Sequence, residues 1–255
     1  MNSVAVYFYR LIRKHIPRKS SLTSIGKGCV NLIDVGSAGD LPSPWLENAV
    51  KIKYLLEFEP RSIPGKSAYI TSLDFALGAE EKQRDLYVYK GFGGSGSSFY
   101  KQNYEYVGEN FVTLRKRGAK YLAKTWFERS VLCQVERISC RALDSILKEL
   151  ATQITYHFLK IDAQGAEYEI LVGAQEFLKN NCLGLHLELF TIPLYKDIKL
   201  LPEVEDYLRG FGFELVKKFP AHGSFDSQHD CVFLKKQADN KIVDTIKEIY
   251  GILNP

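Results

Sequence analysis

The chain has 255 residues, 45% hydrophobic and 25% charged, which suits one large α/β domain with a full core and excludes a disordered, fibrous or membrane-spanning composition. Five scattered cysteines (Cys29, Cys133, Cys140, Cys182, Cys231) form no Cys-x-x-Cys pair, which argues against a disulfide framework or zinc site and for a reducing, cytoplasmic compartment. The net charge of +4 is uneven: Arg10, Arg13, Lys14, Arg18, Lys19 and Lys27 stand in residues 1–30 without an acid, so the remainder carries about −2 and a nucleic-acid partner for the whole chain gains little support.

Residues 4–16 place Val4, Phe8, Leu11, Ile12 and Ile16 at helical spacing between basic residues. Such a helix packs on its own domain or on a twin subunit, or else rests peripherally, through residues 4–19, on an anionic membrane surface. The order of its charges argues against a signal peptide, and no apolar run approaches the ~18–20 residues that span a bilayer.

From Val30 a short apolar run ends in an acid, Asp34, and two glycines three positions apart, Gly36 and Gly39, follow. This pattern predicts a buried parallel strand and a tight turn, with ligand space beyond the strand's carboxyl end. An acid stands where a dinucleotide fingerprint has its first glycine, so the turn suits a ligand bearing ammonium and sulfonium charge, as S-adenosylmethionine does. A second apolar run from Tyr54 ends at Glu59-Pro60, the spacing at which an acid meets ribose hydroxyls.

Between these strands Pro42 and Pro44 are expected to open a short helix through Val50. Residues 68–77 read as a third strand and its exit, and Leu86–Tyr89 as an extended segment. Gly91–Phe99 lacks the Gly-Lys-Ser/Thr ending of a phosphate loop and reads as a loop bordering a site or a plain connector. Residues 100–130 mix tyrosines with bases, a pattern that binds sugars or single-stranded nucleic acid but also describes a solvated helical face over buried aromatics.

A strand from Leu132 to Ser139 leads to a helix over 142–150. Tyr156 to Asp162 again ends in an acid before a glycine turn, and the helix after it carries Ala166, Ile170, Leu171, Ala174, Phe177 and Leu178 on one side. Leu183–Phe190 is a strand on which His186 and Glu188 share a face. A helix from Pro202 to Arg209 precedes two closing strands, Phe213–Val216 and Cys231–Leu234, with His222 and His229 expected in the loop between. The last 20 or so residues read as an added helix.

Together these segments resemble the FkbM family of class I methyltransferases. The resemblance rests on Ile33-Asp34-Val35-Gly36, Phe58-Glu59-Pro60, Ala76-Leu77-Gly78, Leu159 to Glu167, Leu171-Val172-Gly173-Ala174, Pro193-Leu194-Tyr195 and Gly212-Phe213. It implies a Rossmann-like α/β fold: a mostly parallel sheet with a closing antiparallel strand and helices on both faces. It also implies a methyltransferase domain over 30–236; the inserted segment at 100–130 is longer than the family's, and the basic helix in 1–29 and the terminal helix in 237–255 lie outside the match. Ser37-Ala38-Gly39 departs from the family's usual Ala-Asn-x-Gly.

The implied activity is methyl transfer from S-adenosyl-L-methionine to a hydroxyl of a sugar, glycan or similar acceptor. By position Asp34, Gly36, Ser37 and Gly39 would hold the donor's methionine part, Glu59 and Pro60 its ribose, and Asp74, Phe75 and Ala76 its adenine, with Asp162 beside the methyl group. A base must then take the hydroxyl proton. Asp162, Glu188, His186 and His229 are the candidates, and Asp162 with Glu188 could instead hold a divalent cation. The alternatives are an RNA 2′-O-methyltransferase, with Lys160 beside the acceptor, and a donor-binding domain without activity.

Overall fold

The computed structural model describes residues 20–39, 41–91, 95–150, 153–236 and 240–253. The basic helix expected over 4–16, with its membrane or subunit contact, lies outside them, as do residues 92–94 of the glycine-rich loop. Among the described residues no helix is long and apolar enough to cross a membrane.

The strands in chain order are β1 (Val30–Val35), β2 (Ile52–Phe58), β3 (Gly65–Lys66), β4 (Ile70–Leu73), β5 (Ala76–Leu77), β6 (Lys82–Tyr89), β7 (Leu132–Arg141), β8 (Phe158–Ile161), β9 (Gly184–Phe190), β10 (Phe213–Lys218) and β11 (Gln228–Lys235). The main sheet runs β10-β11-β9-β8-β1-β2-β4-β3. Its centre, β9-β8-β1-β2-β4, is parallel throughout, as the uninterrupted burial of β1 and β8 requires. β11 runs antiparallel between β9 and β10.

Strand alternation divides the core into two layers. Ile33, Val35, Leu159, Ile161, Leu185 and Leu187 face helices α4 (Leu143–Leu150), α5 (Glu167–Val172), α6 (Gln175–Asn180) and α7 (Leu201–Arg209). Val30, Leu32, Phe158 and Val232 face the other way, onto Trp45 and α8 (Lys241–Tyr250). The terminal helix is therefore part of the core: it buries Val243, Ile246, Ile249 and Tyr250, and Asn240 caps its start by accepting from the Ile242 N–H at 2.8 Å.

Two expectations are corrected. Residues 43–48 form a series of turns, and only Ala49–Lys51 make a short 3-10 turn. Pro42 and Pro44 offer no backbone N–H to a helix, and the Asn48 side chain takes the Pro44 carbonyl at 2.8 Å instead. His229 lies on β11 rather than in the preceding loop, because that strand starts three residues earlier than its apolar run.

The segments at 82–89 and 132–141 leave the main sheet and pair with each other, with β5 on the far side of β7, in a small second sheet. Between them come α1 (Tyr104–Leu114), α2 (Lys120–Lys124) and α3 (Trp126–Arg129). These bury Val107, Leu114 and Trp126 with Phe225, Leu194 and Tyr195 and turn their lysines outward, the solvated-face reading of residues 100–130.

Candidate active site

Register places the candidate residues. Val35 pairs with Phe58 and Ile161, Phe58 with Leu73, and Ile161 with Leu187. The next positions along the carboxyl edge are Asp74, Glu59, Gly36, Asp162 and Glu188, in spatial order, and Asp230 of β11 pairs with Glu188 to extend the row. Carboxyl groups thus occupy every position except one, and that one is glycine.

Gly36 has φ +79°, and a Cβ there would stand 2.0 Å from the Asp162 carbonyl oxygen. Only glycine lets β1 and β8 close to this distance. The Gly36 and Ser37 N–H groups donate to the Phe58 carbonyl at 2.9 and 3.3 Å, and the Asp162 N–H to the Val35 carbonyl at 3.1 Å, which locks the turn onto its neighbours. Gly39 is exposed at the lip. Glu59 accepts from the Arg61 N–H at 3.0 Å, and Pro60 is half-buried beside it. Asp74 is exposed, the half-buried Phe75 ring lies 5.7 Å from that of Phe58, and Ala76 is buried.

A second polar row lies beneath the first: Ser72, Glu57, Asp34, Lys160 and His186 are in register. Asp34, expected to hold the donor, instead faces Lys160 Nζ at 3.0 Å, both side chains almost wholly buried. Burial raises the Asp34 carboxyl while Lys160 pulls against it; burial lowers Lys160, but Asp34, Asp162 and Glu188 together hold it up. Asp34 and Lys160 are the floor of the site, and Lys160 is too buried to meet a large acceptor.

His186 is likewise committed. Indole nitrogen can only donate, so Trp45 Nε1 donates to Tyr250 Oη at 2.7 Å, Tyr250 donates to His186 Nδ1 at 2.9 Å, and His186 Nε2 donates to Asp230 Oδ1 at 3.0 Å. Both ring nitrogens of His186 are thus engaged, which makes it a positioning group. His229 shares the opposite sheet face with Cys231 and Phe233, and its Nδ1 meets the Phe219 carbonyl at 2.8 Å, so it too leaves the candidate list.

Asp162 and Glu188 do come together. Gln164, a non-glycine residue at φ 50°, donates from Nε2 to Asp162 Oδ1 at 3.0 Å and to Glu188 Oε2 at 2.7 Å. Gln228 Nε2 adds a bond to Glu188 at 2.5 Å, and Tyr195 Oη lies 3.1 Å from Gln164 Oε1. Burial first, and the Asp162 charge second, push the Glu188 carboxyl well above its ordinary value. Gln164 bridges the two carboxyl groups and holds them side by side at the edge. Beyond them His222 Nε2 stands 3.2 Å from Asp230 Oδ2 and 3.9 Å from Glu188 Oε1. The hydrogen bond to Asp230 raises the His222 imidazole, whereas burial of Asp230 is overcome by His186 and His222, which hold that carboxyl well below the usual range.

Gln164, Gln228, Asp230 and Tyr250 escape a reading of the sequence. The signal for Asp230 was strand phase: a strand begun at Gln228 puts residues 228, 230 and 232 on the face of His186 and Glu188. Among the described residues no group of three or more His, Cys, Asp or Glu side chains could hold a metal ion.

A family model described as "Methyltransferase FkbM domain" matches residues 40–215. No curated protein matches. Among solved structures the chain is similar to a methyltransferase FkbM from Methylobacillus flagellatus KT, at 13% identity and a TM-score of 0.43, over 89% of this chain and 47% of that one. It is also similar to magnesium protoporphyrin IX methyltransferase from Synechocystis PCC 6803 with bound SAM (10% identity, TM-score 0.36, 91% and 77% covered). A third is a putative tRNA (m1A22) methyltransferase from Streptococcus pneumoniae (15% identity, TM-score 0.33, 96% and 76% covered). The chain thus spans about half the length of the first of these proteins.

Proposed function

The chain belongs to the FkbM methyltransferase domain family, and from that premise we propose that it transfers the methyl group of S-adenosylmethionine to a hydroxyl of a sugar or glycan-like acceptor. Its sheet has the class I methyltransferase arrangement, with β4-β2-β1-β8-β9 parallel and β11 inserted antiparallel before β10. The observation that carries the reading is the acidic row along the carboxyl edge, broken only at Gly36.

The residues of that row suit the donor's chemistry. Glycine at position 36 lets the turn close onto the Asp162 backbone, Glu59 at the end of β2 offers an acceptor to ribose hydroxyls, and Asp162 offers negative charge to a cationic centre. When bound, S-adenosylmethionine supplies a methyl group on a sulfonium that is already a good leaving group. The protein's share is alignment, exclusion of water and removal of one proton. Asp162 Oδ takes the proton of the acceptor hydroxyl, and Gln164, tied to Glu188, fixes the orientation of the carboxylate. General-base help of this kind contributes about 10²–10⁴-fold.

The pairing of Lys160 with Asp34 favours this reading over an RNA 2′-O-methyltransferase that would set that lysine beside the acceptor. Methyl-labelled S-adenosylmethionine offered with separate glycan and RNA extracts tests the assignment. Label should enter the glycan fraction and fall at least a hundredfold with Asp162→Asn. Label in RNA, or full activity of Asp162→Asn, would overturn it.

A further inference from the structure

On the sheet face that carries His186 and Asp230, a cavity of about 310 Å³ opens between Ser43–Pro44, Phe219 and the end of α8 at Ile249–Tyr250. It lies at the acceptor end of the acidic row, since Asp230 pairs with Glu188 and Glu188 follows Asp162. The volume is at the low end of small-molecule sites, roughly 300–1,000 Å³, and holds one ring.

The lining states what kind of ring. Asp230, 38% exposed, is the only carboxylate among the described lining residues; His186 Nε2 occupies one lone pair of its Oδ1 and His222 Nε2 lies 3.2 Å from its Oδ2, so both oxygens can still accept from ligand O–H or N–H groups. Ser43 offers a hydroxyl. Phe219 lies nearly parallel to the His186 ring at 6.4 Å, and Tyr250 stands edge-on to His186 at 5.5 Å, which gives the cavity flat apolar walls. Among the described residues no lysine or arginine lines it. Lys217 is spent behind the wall, with Nζ 4.9 Å from the Phe219 ring centroid and 2.5 Å from the Tyr250 carbonyl. A carboxylate with aromatic walls and no free cation favours a polyhydroxylated ring and repels phosphate.

We propose that this cavity is the acceptor subsite, seating a polyhydroxylated ring without an anionic group, with Asp230 gripping its hydroxyls and Phe219 covering its apolar face. The proposal rests on the methyltransferase reading for its role but not for its binding chemistry. Saturation-transfer NMR of the full chain with glucose, glucosamine and glucose 6-phosphate tests it, alongside titration with S-adenosylhomocysteine. Glucose and glucosamine should bind at least tenfold more tightly than glucose 6-phosphate. Phe219→Ala and Asp230→Asn should each weaken them at least tenfold while S-adenosylhomocysteine affinity moves less than twofold. Phe219 is half-buried and outside the polar chain, so Phe219→Ala serves even if Asp230→Asn misfolds. Absence of sugar binding, preference for the phosphate, or indifference to Phe219→Ala would overturn the subsite. Failure of the wild type to bind S-adenosylhomocysteine would strike the donor reading instead, so the two failures are separable.

Discussion

Single residues decide whether the edge of the sheet can close. Gly36→Ala brings a methyl group to 2.0 Å from the Asp162 carbonyl oxygen in a left-handed backbone conformation, and neither atom belongs to a flexible side chain. The expected loss is about 3 kcal/mol or more, read as a lowered urea midpoint. His222 and Asp230 give a pH signature. The raised His222 contributes stability that is complete below its ordinary 6.5 and fades as the pH climbs through its folded value. The depressed Asp230 contributes stability above its ordinary 3.8 that is lost on acidification through its folded value. Wild type should therefore exceed His222→Asn in stability at about pH 6, and the gap should shrink at about pH 9; an unchanged gap would show the pair to be inert. At this scale the positions of Gly36, Glu59 and Asp162 at the carboxyl edge were legible because each ends a buried run. The partners of Asp34 were not, since a burial pattern gives a strand's face but not what the neighbouring strand presents to it.

Whole elements show where pattern reading works and where it stops. The parallel core was legible from apolar runs closed by acids. The 42–50 segment was not, because prolines at a helix start and prolines in turns look alike until side-chain competition such as Asn48 onto Pro44 is seen. The small β5-β7-β6 sheet escaped for another reason: its two long strands are separated by three helices, and nothing local announces their pairing. Helix α8 had visible periodicity, yet its weight lies in one terminal residue. Tyr250 links Trp45 to His186 across about 200 residues of sequence, and its ring lies 5.8 Å from that of Phe158. Tyr250→Phe keeps the ring but leaves two buried nitrogens unpaired, so it should cost about 1–3 kcal/mol by chemical denaturation. A cost under about 0.5 kcal/mol would mean that the chain of bonds from Trp45 to Asp230 does not stabilise the helix.

Across the molecule, one geometric fact organises the account. Parallel register brings the ends of β4, β2, β1, β8 and β9 to a common edge, and the antiparallel β11 adds one more acid to it. Donor, reacting centre and acceptor can then be laid along this edge in that order, over a floor made rigid by the Asp34–Lys160 pair. The family match names the methyltransferase domain; the structure adds that Gln164 joins Asp162 to Glu188, that His186 is bonded to Tyr250 and Asp230, and that His229 lies on the opposite sheet face. Calorimetric titration of the full chain with S-adenosylhomocysteine tests the donor half most directly. The account predicts binding by the wild type, at least tenfold weaker binding by Glu59→Ala, worth about 1.4 kcal/mol or more, and nearly unchanged binding by Asp162→Asn. No binding by the wild type, or equal binding by Glu59→Ala, would contradict it.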